Sequence, residues 1–379
     1  MEELTKKYYK YFYKLSNIKI QYGGNLMIID DVYNYKNKYD FISDFKKGKI
    51  HYPVKRIYKS SEDIHRMMDE LKKYNIYENN RLTISDTPYQ IYKINLSDDK
   101  LLFNDKYTLI INKDEDYDKF EILSDMFLED LRVNCSIMNT ENTSYNYFHK
   151  NYKYIAFEIY KKYNKITPYL IREFLWNKIV ECTSFKPNVL IAIKQILYTN
   201  KENNDFEILD PSSGWGDRLI GAIAMNVKYT GIDPNRKLHP RYNNIINFFN
   251  KTEDKYTMIC SPFEECKLNK KFDFIFTSPP YFNLEIYSSE DNQSVNAERN
   301  NEKQWFDLFF KKYLSNAWDH LKNNCFMAIN INQKNKNESY INWMINYVNS
   351  FDDSEFKGII SYKGEKSKNP QPIFIWMKK

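Results

Sequence analysis

The sequence predicts an α/β protein: a doubly wound, mainly parallel sheet that ends in an antiparallel hairpin, with an N-terminal α+β module ahead of it. Three observations carry this. After residue 200, short apolar runs alternate with amphipathic segments: FEILD, RLIGAIAMN, YTGID, HPRYNNIINFFN, YTMIC, FDFIF, QWFDLFFKKYLSNAWDHL and CFMAINI. The first joint from strand to helix is a glycine turn, PSSGWGD at 211–217. Finally, FKGIISYK (356–363) and PIFIWMK (372–378) are two strand-like runs with no helix between them, which sets the hairpin.

Upstream, the pattern is less regular. IKIQYGG, NLMIIDDV and YTLIINK are strand-like, and SEDIHRMMDELKKY (61–74) places Ile64, Met67, Met68 and Leu71 at helical spacing behind a candidate cap, Ser61. The polar run KDEDYDK (113–119) is a plausible boundary, so the expected domains are an α+β module at 1–120 and a larger domain at 121–379. The latter begins with a helical lead-in to residue 180. Its helices are a stripe of Ile122, Leu123, Met126, Phe127 and Leu131, then YKYIAFEIYKKY, then TPYLIREFLWNKIVE opened by Thr167 and Pro168.

Composition narrows the class. The apolar share of 42% and aromatic share of 17% over 379 residues argue against disorder. A formal charge of +6, from 56 basic and 50 acidic residues, permits phosphate contacts, but a solvated lysine-rich surface explains it equally well. The five cysteines are scattered without a CxxC pair, so neither a disulfide framework nor a metal site is expected, and a reducing, intracellular compartment is. MEELTKKYYKYFYKL lacks the basic-then-apolar pattern of a signal peptide, and no apolar run is long enough to span a membrane.

Two stretches look like halves of a site. In DPSSGWGDR (210–218), Gly214 and Gly216 allow a tight turn and close approach of a ligand to backbone. The pattern is neither GxGxxG nor a phosphate loop. About twenty residues on, Asp233 ends the next strand, placed to accept hydrogen bonds from two ribose hydroxyls. A glycine turn and a ribose acid without a phosphate grip suit an adenosine cofactor lacking pyrophosphate, and S-adenosylmethionine fits that description. The second stretch is TSPPY: Pro279 and Pro280 stop the strand FDFIF and project Ser278 and Tyr281 from its C-terminal end. That is where open α/β sheets hold ligands.

DPSSGWGDR, Asp233 and TSPPY together resemble the motif set of the S-adenosylmethionine-dependent amino-methyltransferases that modify exocyclic amines of DNA bases. SPPY is that family's serine form, more often associated with N4 of cytosine than N6 of adenine. FKPNVLIAI (185–193) resembles the segment the family uses for the methionine moiety, which adds Phe185 and Pro187. The wording DPSSGWGDRLIGA with SPPYFNLEIYS further resembles methyltransferases of phages and large DNA viruses. The resemblance covers roughly residues 180–379 and implies a Rossmann-like methyltransferase sheet, with nucleic acid as partner and DNA favoured over RNA. It leaves no room for a target-recognition region between or after the two motifs, so residues 1–180 or the loop at 283–303 would have to read any base sequence.

What the resemblance implies for the site is specific. Asp210, Ser212, Gly214 and Gly216 would line the methionine end, Asp233 the ribose, and Pro262 and Phe263 the adenine, although Phe263 reads equally as a core aromatic. The Ser278 hydroxyl and Pro279 carbonyl would accept the hydrogens of the target amine, and Tyr281 would stack on the base. Glu285 and Tyr287 are candidates for the base edge, though solvated loop residues account for them as well. An N6-adenine or RNA methyltransferase, a catalytically silent nucleic-acid-binding scaffold and, less well, a nicotinamide oxidoreductase remain open on sequence alone.

Overall fold

The computed structural model describes residues 33–53, 61–85, 108–112, 119–137, 143–199, 205–249, 254–282, 284–287, 294–296, 298–332, 339–363 and 371–379. The strands expected in IKIQYGG and NLMIIDDV lie outside the described residues. The chain divides into two compact units: unit 1 holds Met1–Met67 and Asp125–Thr183, and unit 2 holds Met68–Ser124 and Ser184–Lys379. This partition differs from the expected boundary near residue 120, because the chain crosses between units three times.

Unit 1 is helical. Helix α1 (Lys38–Lys46) starts where the Asn37 side chain accepts from the Tyr39 N–H, and it buries Phe41. Helix α2 (Ser61–Lys72) straddles the division, and Ile64, Met67, Met68 and Leu71 are all buried, as their spacing predicts. Helix α3 (Ile122–Arg132) also straddles it. Helix α4 (Ser144–Tyr163) is capped by Thr143 and ended by Asn164 in the left-handed conformation (φ 52°). Helix α5 (Pro168–Trp176) opens as its sequence predicts: Thr167 Oγ1 accepts from the Leu170 N–H at 3.3 Å and Pro168 fills the first turn. Phe41, Phe148, Ile155, Ile159, Ile171 and Leu175 form the apolar core of this unit.

The expected apolar stripe on α3 needs correction. Of its five residues only Leu123 is fully buried, whereas Asp125, Glu129 and Arg132 go inside. Arg132 grips Asp125 with two bonds (3.0 and 3.1 Å), and Arg172 grips Glu181 with two more (2.6 and 3.0 Å) while reaching Glu129 at 3.2 Å. The Tyr52 hydroxyl donates to Glu181 at 3.2 Å. Paired this way the charges are tolerable in a core, where a lone one is not.

Among its described residues, unit 2 carries a nine-stranded sheet. Its strands are β1 (Leu82–Ser85), β2 (Thr108–Asn112), β3 (Glu207–Asp210), β4 (Lys228–Ile232), β5 (Tyr256–Ile259), β6 (Phe272–Thr277), β7 (Leu321–Asn330), β8 (Ser354–Lys363) and β9 (Gln371–Lys378). They lie in the order β1-β2-β8-β9-β7-β6-β3-β4-β5. β7, β6, β3, β4 and β5 run parallel, and β9 enters antiparallel between β7 and β8. This is the doubly wound sheet with a terminal hairpin that the strand–helix rhythm predicts. The departure lies just beyond the hairpin, where β2 pairs in parallel with β8 through Leu109 and Ile360. Part of the expected N-terminal module is thus sheet, continuous with the rest.

Helices cover both faces. Helix α9 runs through Glu302–Trp305, a π turn at Phe306–Phe310 and Lys311–Asp319. With α10 (Tyr340–Asn349) it packs on Ile275, Met327, Ile329, Phe374 and Trp376. On the other side, Phe185 and Tyr198, which flank α6 (Pro187–Leu197), meet the rings of Phe276 and Phe274 edge-on. Helix α7 (Asp217–Met225) closes on α6 at Gly221, where a Cβ would stand 2.9 Å from the Pro187 carbonyl oxygen. Helix α8 (His239–Phe248) follows β4. Neither α1 nor α10 is anticipated by the sequence pattern.

Candidate active site

β3 delivers Asp210 to the foot of the glycine turn, where it is 0% exposed. Its Oδ2 accepts from Arg218 Nε at 2.7 Å and from the Tyr229 hydroxyl at 2.6 Å, and its Oδ1 accepts from the Ser212 N–H at 3.2 Å. Arg218 also donates to the Ser212 carbonyl. The resemblance implied that Asp210 faces a ligand; burial and three donors place it beneath the turn instead, where it fixes the shape. Gly214 and Gly216 take left-handed φ values of 54° and 78°, and Gly216 is the residue from which α7 starts.

Asp233 follows β4 and is tied to the same turn. Its Oδ2 accepts from the Gly214 N–H at 3.0 Å and its Oδ1 from the Asn235 N–H at 2.9 Å. Burial pushes its pKa up to about 6, against the pull of those two N–H groups. The His239 Nε2 lies 2.8 Å from the Asp233 carbonyl oxygen, which can only accept, so that nitrogen carries the proton.

A cleft opens over these residues. It is lined by Ser212, Gly214, Trp215, Asp233, Pro234, Asn235, Leu238, Ser278, Pro280 and Tyr287. Residues far apart in sequence therefore meet: the glycine turn, the acid after β4 and the serine after β6. Trp215 and Tyr287 approach edge-on across it, with ring centres 6.2 Å apart. The Glu285 side chain lies outside the described residues.

The serine is held by a chain of polar contacts. Ser278 Oγ lies 3.1 Å from the Tyr281 hydroxyl, which lies 3.0 Å from Asn330 Oδ1 and 3.1 Å from the Asn330 carbonyl oxygen. Asn330, 1% exposed at the end of β7, gives its amide N–H to the Pro372 carbonyl at 2.9 Å, which turns Oδ1 toward Tyr281. Tyr362, its pKa raised to about 12 by burial, keeps its proton and donates to the same Oδ1 at 3.3 Å. A second bridge joins the two halves of the site: the Tyr313 hydroxyl is 2.8 Å from both Ser212 Oγ and Thr277 Oγ1. Tyr313 follows the π turn of α9, a distortion often found at functional positions.

Several expected site residues sit elsewhere. Phe263 belongs to the apolar core, its ring centre 5.0 Å from that of Tyr313, so it has no open face for an adenine. Pro262, half-buried, starts the short helical turn at Phe263–Glu265. Phe185 packs between Phe276 and Tyr362 under the Arg218 guanidinium, and Pro187 is buried at the start of α6. Pro279 is buried while Pro280 faces the cleft. Tyr281 is half-buried against the core with its hydroxyl engaged, which argues against its stacking on a base. Asn330 and Tyr313 were not anticipated; a polar residue closing the apolar run CFMAIN was the one visible sign of the first.

No family model matches the chain, and no curated protein matches it. Among solved structures it resembles an rRNA methylase from Streptococcus thermophilus, at 11% identity over 52% of this chain and 99% of that one, with a TM-score of 0.34. It also resembles a Streptococcus mutans protein proposed to be a methyltransferase and solved in complex with SAH, at 10% identity over 52% of this chain and 100% of that one (TM-score 0.36). A Listeria monocytogenes protein, proposed to be a class I S-adenosylmethionine-dependent methyltransferase, shares 14% identity over 68% of this chain and 80% of that one (TM-score 0.40). At these scores the likenesses say nothing of this chain's activity, which must be read from the cleft.

Proposed function

We propose that the cleft binds S-adenosylmethionine and that the chain transfers the methyl group to an exocyclic amine of a nucleic-acid base, N4 of cytosine in DNA being the first candidate. The observation that carries this is the meeting of Ser278 with Gly214 and Asp233 in one cleft. The residues fit such a cofactor. A carboxylate stands where a ribose can be gripped, and the space beside the Gly214 Cα is open. A Cβ placed there would meet nothing nearer than the Ser212 carbonyl oxygen, at 3.8 Å.

When bound, S-adenosylmethionine supplies an electrophilic methyl group. Asp233 would accept from the ribose hydroxyls, and the Gly214 backbone would pass close beneath the ligand. Ser278 does the electrostatic work. Because both oxygens of Asn330 can only accept, the Tyr281 proton points to them, and the Ser278 hydroxyl must donate to Tyr281. That leaves the Ser278 lone pairs to draw the hydrogens of an amine entering the cleft. They would turn the nitrogen lone pair out of conjugation. The new N–C bond would take its pair from that nitrogen as the methyl–sulfur bond of the sulfonium breaks, that bond's pair staying on sulfur to leave S-adenosylhomocysteine. The Ser278 oxygen would stabilise the positive charge on nitrogen, and one N–H proton would then pass to water.

The experiment is mass spectrometry of nucleosides from DNA and RNA incubated with the protein and isotope-labelled S-adenosylmethionine. Labelled N4-methyldeoxycytidine is expected. Labelled N6-methyladenine would keep the mechanism and change the base, and label confined to RNA would change the polymer. No label in any nucleoside would overturn the reading in favour of a silent scaffold.

Two variants probe the parts. Tyr281→Phe keeps the ring but removes the partner that orients Ser278, so kcat should fall about tenfold with cofactor affinity unchanged. An equal loss of both would place Tyr281 in cofactor binding. For Asp233, the ionised form is the better acceptor of two hydroxyls. As pH falls through about 6 the proton must be removed before the ligand binds, so the S-adenosylhomocysteine Kd should rise by up to about tenfold per pH unit. Titration calorimetry from pH 5 to 8 should show a flat Kd at the upper end, and Asp233→Asn should bind weakly with no such slope.

A further inference from the structure

The outer face of α4 is not an ordinary solvated face. Lys150, Tyr154, Phe157 and Lys161 follow one another at helical spacing, so they share one side of the helix. Helix α1 adds to that side within unit 1. Tyr39 meets Phe157 edge-on with ring centres 6.2 Å apart, and Lys38 Nζ stands 4.1 Å from the Phe157 ring centre. The rings are open to solvent: Tyr39 is 63% exposed, Tyr154 47% and Phe157 42%. Among the described residues, none of these three lysines pairs with a carboxylate.

Single exposed apolar side chains need no explanation, but a cluster of rings interleaved with unpaired ammonium groups does. A membrane surface or an amphipathic partner helix asks for a wide apolar stripe, and here every ring has a lysine beside it. A single nucleic-acid strand asks for this alternation: bases stack on rings while phosphates pass the cations. A duplex hides its base faces in its own stack, so the rings favour an unpaired strand. From Lys150 to Lys161 the face runs about 16 Å along the helix.

We infer that the α1–α4 face of unit 1 is a docking surface for a single nucleic-acid strand, held through Tyr39, Tyr154 and Phe157 and through Lys38, Lys150 and Lys161. The inference extends the proposed substrate class, yet binding is measured apart from methyl transfer.

The test uses the full chain and fluorescence anisotropy with labelled oligothymidylate and oligouridylate over a range of salt. Lys150→Glu with Lys161→Glu should weaken binding at least about tenfold and lower the slope of log K against log salt by about 1.4, at roughly 0.7 per phosphate contact. Tyr39→Ala with Tyr154→Ala should weaken it about tenfold with the slope kept. Lys267→Glu with Lys271→Glu, exposed lysines of unit 2 that undergo the same charge change, should stay within about twofold. Unchanged melting temperatures in all three variants exclude misfolding, and the tighter of the two probes separates DNA from RNA. The inference is overturned if the unit 2 control loses as much, if the face variants bind like the parent chain, or if the chain binds phosphatidylserine vesicles and neither oligonucleotide. Strand binding that depends on this face, without labelled nucleoside, would keep the inference and discard the methyltransferase reading; labelled nucleoside with unaffected binding would do the reverse.

Discussion

Ser278→Ala should lower kcat by about 10²–10³ while the Kd for S-adenosylmethionine stays within about twofold. The asymmetry follows from where the hydroxyl stands. In the proposed reading Asp233 and the Gly214 backbone hold the cofactor, whereas Ser278 is fixed by Tyr281 and Asn330 at the end of a different strand. Its lone pairs matter once the amine nitrogen begins to carry positive charge, so the loss should appear in turnover and not in binding. Single-turnover transfer with labelled cofactor gives the rate, and calorimetry gives the affinity. Equal losses in both would show that Ser278 belongs to the cofactor site, and an unchanged rate would remove it from the chemistry.

The largest loss of stability should come from Arg218→Ala. It leaves the Asp210 carboxyl fully buried without its ion-pair partner, held by only the Tyr229 hydroxyl and one backbone N–H. Breaking a buried pair from one side costs about 3–5 kcal/mol. Burial disfavours the Arg218 charge, but Asp210 more than compensates and holds its pKa above the usual value. Replacing both partners, as Asp210→Leu with Arg218→Met, should recover part of the loss, because no orphaned charge remains. Urea unfolding of the three variants measures this. A loss below about 1 kcal/mol for Arg218→Ala would be the value of a solvated surface pair, and the account of the turn would fail. Because Arg218 also ties the Ser212 carbonyl, the stability loss should be accompanied by weaker cofactor binding.

The sequence was readable where local pattern and global role agree. The alternation after residue 200 yields the parallel strands, and two prolines after FDFIF mark the strand end at the cleft. It misled at Asp210, since an acid beside a glycine turn looks the same whether it faces a ligand or an arginine in the first turn of the next helix. Phe263 was ambiguous for a similar reason: an aromatic after a strand fits a ring-binding wall or a core, and here it is core. The charges of α3 are spaced like a solvated face, and only Arg172 and Glu181, far along the chain, make them an interior. Helix α10 went unseen because Asn, Tyr, Trp and Ile are indifferent helix formers, although Ile341, Met344, Ile345 and Val348 are buried at helical spacing. Nothing local in YTLIINK foretells its partner.

That partner has a consequence for how the chain is made. β2 pairs with β8, roughly 250 residues later in the sequence, and β9 must slot between β8 and β7 for the sheet to close. On the ribosome, β2 therefore emerges long before the strand that covers its second edge; β1, made earlier, can pair with one side of the run TLIIN, but the backbone groups facing β8 stay unmatched. Pairing over such a separation is slow, and an uncovered edge is what chaperones and misassembly compete for. Yield of the native protein should thus depend more on what shields residues 108–112 during synthesis than on the strength of the finished sheet.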